Sequence, residues 1–281
     1  MNYRHSYHAG NFADVIKHVL QCVALRYLHT KEKPFWVLDT HAGVGMYDLA
    51  SEEATKTGEF MAGIARLLER TDLPPAITPY VEAVQQLNPQ GEVRWYPGSP
   101  WLSALHLRPQ DSLVLCEKHP YDSQLLAANA REFPASRQVK VLTATDGYGA
   151  LKALVPPPQK RGMVLIDPPF EQRDEFDQIV TALSAGVRRW ATGTYAVWYP
   201  IKDPLVVGEF HQKVKAIRGV EQVFVVDILV RAATDASCFN GCGMLFINPP
   251  YGLTQQAGTI MAYLTPILAQ ARGAEYQCLM L

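Results

Sequence analysis

Apolar positions in this chain follow two rhythms. Short apolar runs at residues 35–38, 112–116, 139–142, 163–166, 195–199, 222–230 and 243–247 read as seven strands. Helical or mixed segments separate the first five, as βαβ crossovers and a parallel sheet require. The sixth and seventh are joined by too short a loop for a crossover helix and are expected to pair as an antiparallel hairpin. Before the first strand, Ile16, Val19, Leu20, Val23 and Tyr27 recur at helical spacing. Asn11 is the expected N-cap, and Asp14 sits in the favourable first turn. Lys17, His18 and Gln21 fall on the opposite side, towards solvent or a pocket. The pattern predicts an α/β, Rossmann-like fold with a seven-stranded, mostly parallel sheet and an antiparallel terminal hairpin.

Residues 50–94 break the alternation. Helix-like stretches at 59–70 and 79–87 flank the break Leu73-Pro74-Pro75, which predicts a small helical insertion after the first βα unit. The opening residues 1–10 are polar and aromatic without periodicity. The 281 residues, 48% of them hydrophobic, suffice for a sizeable core. We read them as one domain, 1–281, carrying the insertion and the N-terminal segment.

The ends of the apolar runs carry the chemistry. Asp39-Thr40-His41-Ala42-Gly43-Val44-Gly45 follows the first run, and a strand ending in D-x-x-x-G-x-G presents an adenosyl cofactor because glycine lets backbone approach the ligand. The second strand leads to Glu117, whose carboxylate suits a ribose diol. The third leads to Asp146-Gly147, where a carboxylate suits the cofactor's adenine amine. The fourth ends in Asp167-Pro168-Pro169-Phe170. The Asp167 carboxylate and the Pro168 carbonyl can accept the protons of a poorly nucleophilic base amine. Proline fixes φ and stiffens the loop, and Phe170 offers a face for stacking a base, worth roughly 1–3 kcal/mol. In this order the motifs point to S-adenosylmethionine-dependent methylation of a base amine on a class I methyltransferase fold.

Other positions are more ambiguous. His41 is either a turn residue or a cofactor contact; Ser99, before Pro100, is either a helix N-cap or a cofactor contact. Asn248-Pro249-Pro250-Tyr251 matches the Asn form of the catalytic motif. If its strand runs antiparallel, however, it lies on the sheet edge opposite the cofactor. Arg188-Arg189 read as a solvated helix face. The net charge of −1 and pI near 6.7 offer no global basic field, so nucleic-acid binding must use local patches. Five cysteines without a disulfide or zinc pattern indicate reduced thiols in the cytoplasm and no metal. No apolar stretch of membrane-spanning length is present.

The whole chain also resembles a known family. Tyr3-Arg4-His5-Ser6-Tyr7-His8-Ala9-Gly10-Asn11, Ala13-Asp14-Val15-Ile16-Lys17-His18, Leu38-Asp39-Thr40-His41-Ala42-Gly43, Tyr96-Pro97-Gly98-Ser99-Pro100, Leu165-Ile166-Asp167-Pro168-Pro169 and Ala196-Val197-Trp198-Tyr199-Pro200 resemble the bacterial 23S ribosomal RNA large-subunit methyltransferase J family, in its order. The resemblance implies N6 methylation of one adenine in 23S rRNA, in ribosome biogenesis. It implies His18, His41, Ser99, Glu117, Asp146 and Gly147 as cofactor contacts, beside Gly43 of the glycine turn. It also implies Asp167 as the catalytic acceptor and Tyr3 as an RNA contact; beside that resemblance, Arg4 and Lys17 are expected as further RNA contacts. Phe170 stands where the family more often has Tyr, which keeps stacking and removes a hydroxyl. Two other functions share parts of this pattern: a DNA adenine-N6 methyltransferase and a non-catalytic RNA-binding assembly factor.

Overall fold

The computed structural model describes residues 4–281. A 3-10 turn at His5–Tyr7 leads into α1 (Phe12–His29), β1 (Trp36–Asp39) and β2 (Met46–Asp48). Then come α2 (Glu52–Thr57), a 3-10 turn at Glu59–Ala62, α3 (Ile64–Leu68), α4 (Thr78–Leu87), β3 (Trp95–Pro97) and α5 (Ser99–Leu105). The chain continues through β4 (Ser112–Glu117), α6 (Pro120–Asn129), β5 (Val139–Thr143), α7 (Gly147–Leu154), β6 (Gly162–Ile166), α8 (Glu175–Arg189) and β7 (Thr194–Ile201). It ends with α9 (Pro204–Lys215), β8 (Val223–Leu229), β9 (Gly241–Ile247), α10 (Tyr251–Leu268) and β10 (Glu275–Met280).

The main sheet has the order β10-β8-β9-β7-β6-β1-β4-β5. β5, β4, β1, β6 and β7 run parallel, and β9 is antiparallel to both β7 and β8. All seven predicted strands form. An eighth, β10, pairs antiparallel with β8 at the sheet edge, and β2 and β3 make a separate antiparallel ribbon. The chain lays β4 and β5 on one side of β1 and β6 on the other. This reversal opens a crevice at the carboxyl ends of β1 and β6, where ligands of such sheets bind.

Alternation along the strands builds two cores. Val37, Leu113, Leu115, Met163 and Leu165 pack with α1 and α10 on one face. Leu38, Val114, Cys116, Val164 and Ile166 pack with α7, α8 and α9 on the other. Residues 50–94 carry α2, α3 and α4 joined by irregular segments, and Ile64, Leu67, Tyr80 and Val84 join the first core. The predicted helix over 59–70 is broken at Gly63 into a 3-10 turn and α3.

Helix α1 starts as its sequence dictates. Asn11 Oδ1 accepts from the amides of Ala13 and Asp14 at 2.9 and 3.0 Å, satisfying two otherwise orphan donors. The helix is buried on nearly every side as far as Leu25, so its polar side faces protein. No described helix is long and apolar enough to cross a membrane.

Candidate active site

A cleft of about 540 Å³ opens over the carboxyl ends of the parallel strands. Asp167 closes β6 at one side of it. One carboxylate oxygen, Oδ2, accepts from Lys17 Nζ at 2.6 Å. The same ammonium lies 2.8 Å from Asp14 Oδ1, while Asp14 Oδ2 accepts from the Gly10 amide and contacts His5 Nε2, both at 2.9 Å. A chain of polar contacts, His5–Asp14–Lys17–Asp167, thus runs from the N-terminal segment through α1 to the end of β6. Burial alone would lower the Lys17 pKa, but Asp14 and Asp167 outweigh it and hold it well above the usual value. Burial would likewise raise the Asp14 carboxyl, and His5 and Lys17 instead draw it well below.

This arrangement bears on one expectation. Lys17, predicted to touch RNA, is buried with its ammonium held by two carboxylates of the protein. Its helical position fits a pocket as well as solvent, and periodicity cannot separate the two. Asp14 and His5 were read as a first-turn acid and part of an aperiodic tail. Their partnership joins residues that no local pattern connects.

Pro168 and Phe170 both line the cleft beside Asp167. Phe170 has φ +50°, a left-handed conformation rare for a bulky residue. Its ring meets Phe176 and Trp198 edge-on, at centroid distances of 5.1 and 5.8 Å. Trp198 and Phe239 extend the aromatic wall.

The motif at Asn248 behaves differently. Ile247 pairs with Tyr195 at the start of β7, so Asn248 lies at the opposite end of the sheet from Asp167. Its side-chain amide donates to the carbonyls of Ala191 and Gly193 at 2.7 and 2.8 Å, which staples the loop entering β7. Here the residue with positive φ is Asn248 itself, at +52°, and Tyr251 begins α10.

The remaining predicted positions follow the strand ends. Gly43, with φ +60°, turns the chain after β1, and its amide donates to Glu117 Oε2 at 2.9 Å. Glu117 Oε1 accepts from the His119 amide at 2.7 Å. Burial raises the Glu117 pKa despite these two donors. Asp146 caps α7 through the Gly149 amide at 2.8 Å and meets Lys118 Nζ at 3.1 Å. His41 Nδ1 lies 2.8 Å from Thr40 Oγ1, its ring is edge-on to Tyr148 at 5.1 Å, and burial pushes its pKa down to about 4. Ser99 is the first residue of α5 rather than its cap, which is Gly98. Its hydroxyl donates to Asp39 Oδ2 at 2.6 Å.

His18, His41, Gly43, Ser99, Glu117 and Asp146 all line the cleft with Asp167 and Lys17. Gly147 does not. It packs on Thr40, whose carbonyl oxygen would lie 2.0 Å from a Cβ at this position. Arg4 lies outside the cleft lining, paired with Glu53 at 3.7 Å and Asp122 at 4.0 Å, over the Tyr121 ring. Tyr3 falls outside the described residues. His5 and His8 border the cleft, and the latter contacts Glu59 at 2.9 Å.

Comparison with known proteins gives this geometry a lineage. Residues 32–278 match the family described as "Ribosomal RNA large subunit methyltransferase D, RlmJ". A protein of Escherichia coli K12 named ribosomal RNA large subunit methyltransferase J is 41% identical over 96% of this chain and 95% of its own. One of the same name from Haemophilus influenzae is 43% identical over 95% and 94%. The crystal structure of a Legionella pneumophila protein superposes with a TM-score of 0.87 at 34% identity, covering 97% of this chain and 98% of that one. The chain belongs to the ribosomal RNA large subunit methyltransferase J family, a family of methyltransferases.

Proposed function

We propose that this chain methylates the exocyclic N6 amine of one adenine in 23S rRNA, with S-adenosylmethionine as donor, during ribosome assembly in the cytoplasm. One observation carries the reading: Asp167 ends β6 with Oδ2 held by Lys17 and with no described hydrogen-bond partner on Oδ1, between a proline-stiffened loop and an aromatic wall. The names of the relatives supply the RNA class.

The residues present fit the cofactor. Gly43 turns with positive φ, Glu117 and Asp146 offer acceptors at the next two strand ends, and His18 keeps a buried ring nitrogen without a described partner. We assign cofactor contacts to these four and to His41 and Ser99, with Gly147 seating α7 against the Thr40 backbone. When bound, the cofactor supplies an electrophilic methyl group. The chain's own residues handle the amine. Asp167 Oδ1 and the Pro168 carbonyl accept its protons and free its lone pair, while Phe170 holds the flat base. Lys17 fixes the Asp167 rotamer, so that one oxygen faces the substrate. This is positioning chemistry, which can supply several kcal/mol of barrier lowering. Tyr3 and Arg4 are the RNA contacts, and Arg4 reaches a phosphate by exchanging Glu53 and Asp122 for it. The chain acts as one domain, 1–281, with residues 50–94 as its insertion and 1–10 as its RNA-contacting segment.

Mass spectrometry of nucleosides from cells with and without this protein tests the reading. Loss of one N6-methyladenosine from 23S rRNA is expected. Loss from genomic DNA instead would assign a DNA substrate, and no loss from either would leave a non-catalytic role.

A further inference from the structure

His18 sits one residue beyond Lys17 on α1 and is 1% exposed. Its Nδ1 lies 2.7 Å from Tyr96 Oη, at the end of β3. Tyr96 Oη in turn lies 2.9 Å from Tyr80 Oη, on α4 of the insertion. Both tyrosines are fully buried. The other ring nitrogen, Nε2, is buried without a partner among the described residues, in a side chain that lines the cleft.

The hydrogens of this chain can be counted. Burial drives the His18 pKa well below its usual value, so the ring is neutral and carries one N–H. Burial holds both tyrosine pKa values well above theirs, so each keeps its hydroxyl proton. Were Nδ1 the protonated nitrogen, it would donate to Tyr96, and Tyr96 would donate to Tyr80. Three protons share two hydrogen bonds, so one donor is left over in either sense; in this one it is the Tyr80 hydroxyl, which is outside the cleft lining, and a buried unsatisfied donor costs about 1–3 kcal/mol. In the opposite sense Tyr80 donates to Tyr96 and Tyr96 to Nδ1, so every hydroxyl proton is used. The ring proton then sits on Nε2 and is the donor left over, but in a side chain that lines the cleft, where a ligand oxygen can accept it. Which imidazole nitrogen carries the proton is set by the bond the other makes.

We propose that Tyr96, backed by Tyr80, is a positioning residue that fixes His18 as its Nε2–H tautomer, presenting a donor in the cleft to the amino-acid carboxylate of the cofactor. The inference rests on the proposed use of S-adenosylmethionine and extends it to a specific end of that molecule. His18, Gly98 and Ser99 line the same cleft, and Gln21, one turn further along α1, donates to the Ser99 carbonyl at 2.9 Å. Glu117 and Asp146 stand at β4 and beyond β5, and are taken for the ribose and adenine. The amino-acid end remains for the α1 side.

The tautomer is measured directly by 15N–1H NMR of the full-length, histidine-labelled protein without ligand, with His18 assigned by the signals missing from His18→Gln. Wild type is expected to show Nε2 protonated and Nδ1 bare between about pH 6 and 8. Tyr96→Phe should mix the tautomers and weaken S-adenosylmethionine binding about tenfold, near the lower end for a hydrogen bond to a charged group. Binding of 5′-methylthioadenosine, which lacks the amino-acid end, should be unchanged. Tyr80→Phe should keep the tautomer, because Tyr96 still has a proton to donate. A wild-type ring protonated at Nδ1, or equal losses for the two nucleosides, overturns the proposal. The wild-type spectrum and Tyr80→Phe decide the matter should Tyr96→Phe fail to fold. Absence of S-adenosylmethionine binding in wild type refutes the cofactor reading instead, and leaves the tautomer measurement standing.

Discussion

Replacing Lys17 by Met removes the cation from between two carboxylates and nearly preserves side-chain length. Asp14 is 1% exposed and retains His5 and the Gly10 amide. Asp167 borders the cleft, with its side chain 15% exposed. Breaking a buried ion pair by removing one partner costs about 3–5 kcal/mol, and the lower end applies because Asp14 keeps two donors. In a chain of this size about 3 kcal/mol corresponds to a fall in Tm of roughly 5 °C. The pH dependence follows from the Asp14 shift. In wild type its folded pKa lies below its unfolded one, so the stabilisation is present above the unfolded pKa and is lost as pH falls through the folded value. Without Lys17 the balance tips toward burial and the folded pKa rises. Protonation then relieves the unpaired charge, so the variant's deficit should shrink between about pH 7.5 and pH 5. Urea melts of both proteins at the two pH values measure this, and methyl transfer should be lost at pH 7.5 while cofactor affinity stays within several-fold. The double variant Lys17→Met/Asp14→Asn should recover stability but not activity. A deficit below about 1 kcal/mol, the size of a surface pair, or one unchanged by pH would refute the buried-charge argument.

Asn248→Ala should lose about 1–3 kcal/mol of stability, from two unmade hydrogen bonds and a strained φ, while keeping most methyl transfer; a loss of activity matching that of Asp167→Ala in folded protein would reassign the catalytic motif. Gly147→Ala drives a Cβ into the Thr40 carbonyl at 2.0 Å; calorimetry should show weakened cofactor binding, and unaltered binding and stability would show that α7 is free to shift. His41 has a folded pKa of about 4 against an ordinary 6.5, so the unfolded chain binds its proton first and stability falls as pH drops from 6.5 towards 4. Melts of His41→Gln should show a shallower fall in that window, and an identical slope would mean the ring titrates normally.

Much of the framework was legible because local chemistry and tertiary packing agree. The Asn11 cap, the strand ends at Asp39, Glu117 and Asp167, and the antiparallel placement of Asn248 all follow from patterns a few residues long. Strand β10 was not legible: Glu275–Met280 is a largely exposed edge strand without the alternation that one buried face imposes. Whether the polar stripe of Lys17 and His18 faces solvent or a pocket was not legible, because only the fold shows that α1 is surrounded by protein and that both residues line the cleft. The contacts of His5 with Asp14, of Tyr80 with Tyr96 and of Tyr96 with His18 span 9, 16 and 78 residues. Only the folded chain brings those partners together.

The central claim is that Asp167 accepts the protons of an adenine N6 amine in 23S rRNA. Purified wild type and Asp167→Ala, each given isotopically labelled S-adenosylmethionine and 23S rRNA from cells lacking the protein, test it by nucleoside mass spectrometry beside calorimetric cofactor titration. The account predicts one labelled N6-methyladenosine per rRNA with wild type. With Asp167→Ala it predicts none, at a cofactor affinity within several-fold. Label on another nucleoside, or full methylation by Asp167→Ala, would contradict it.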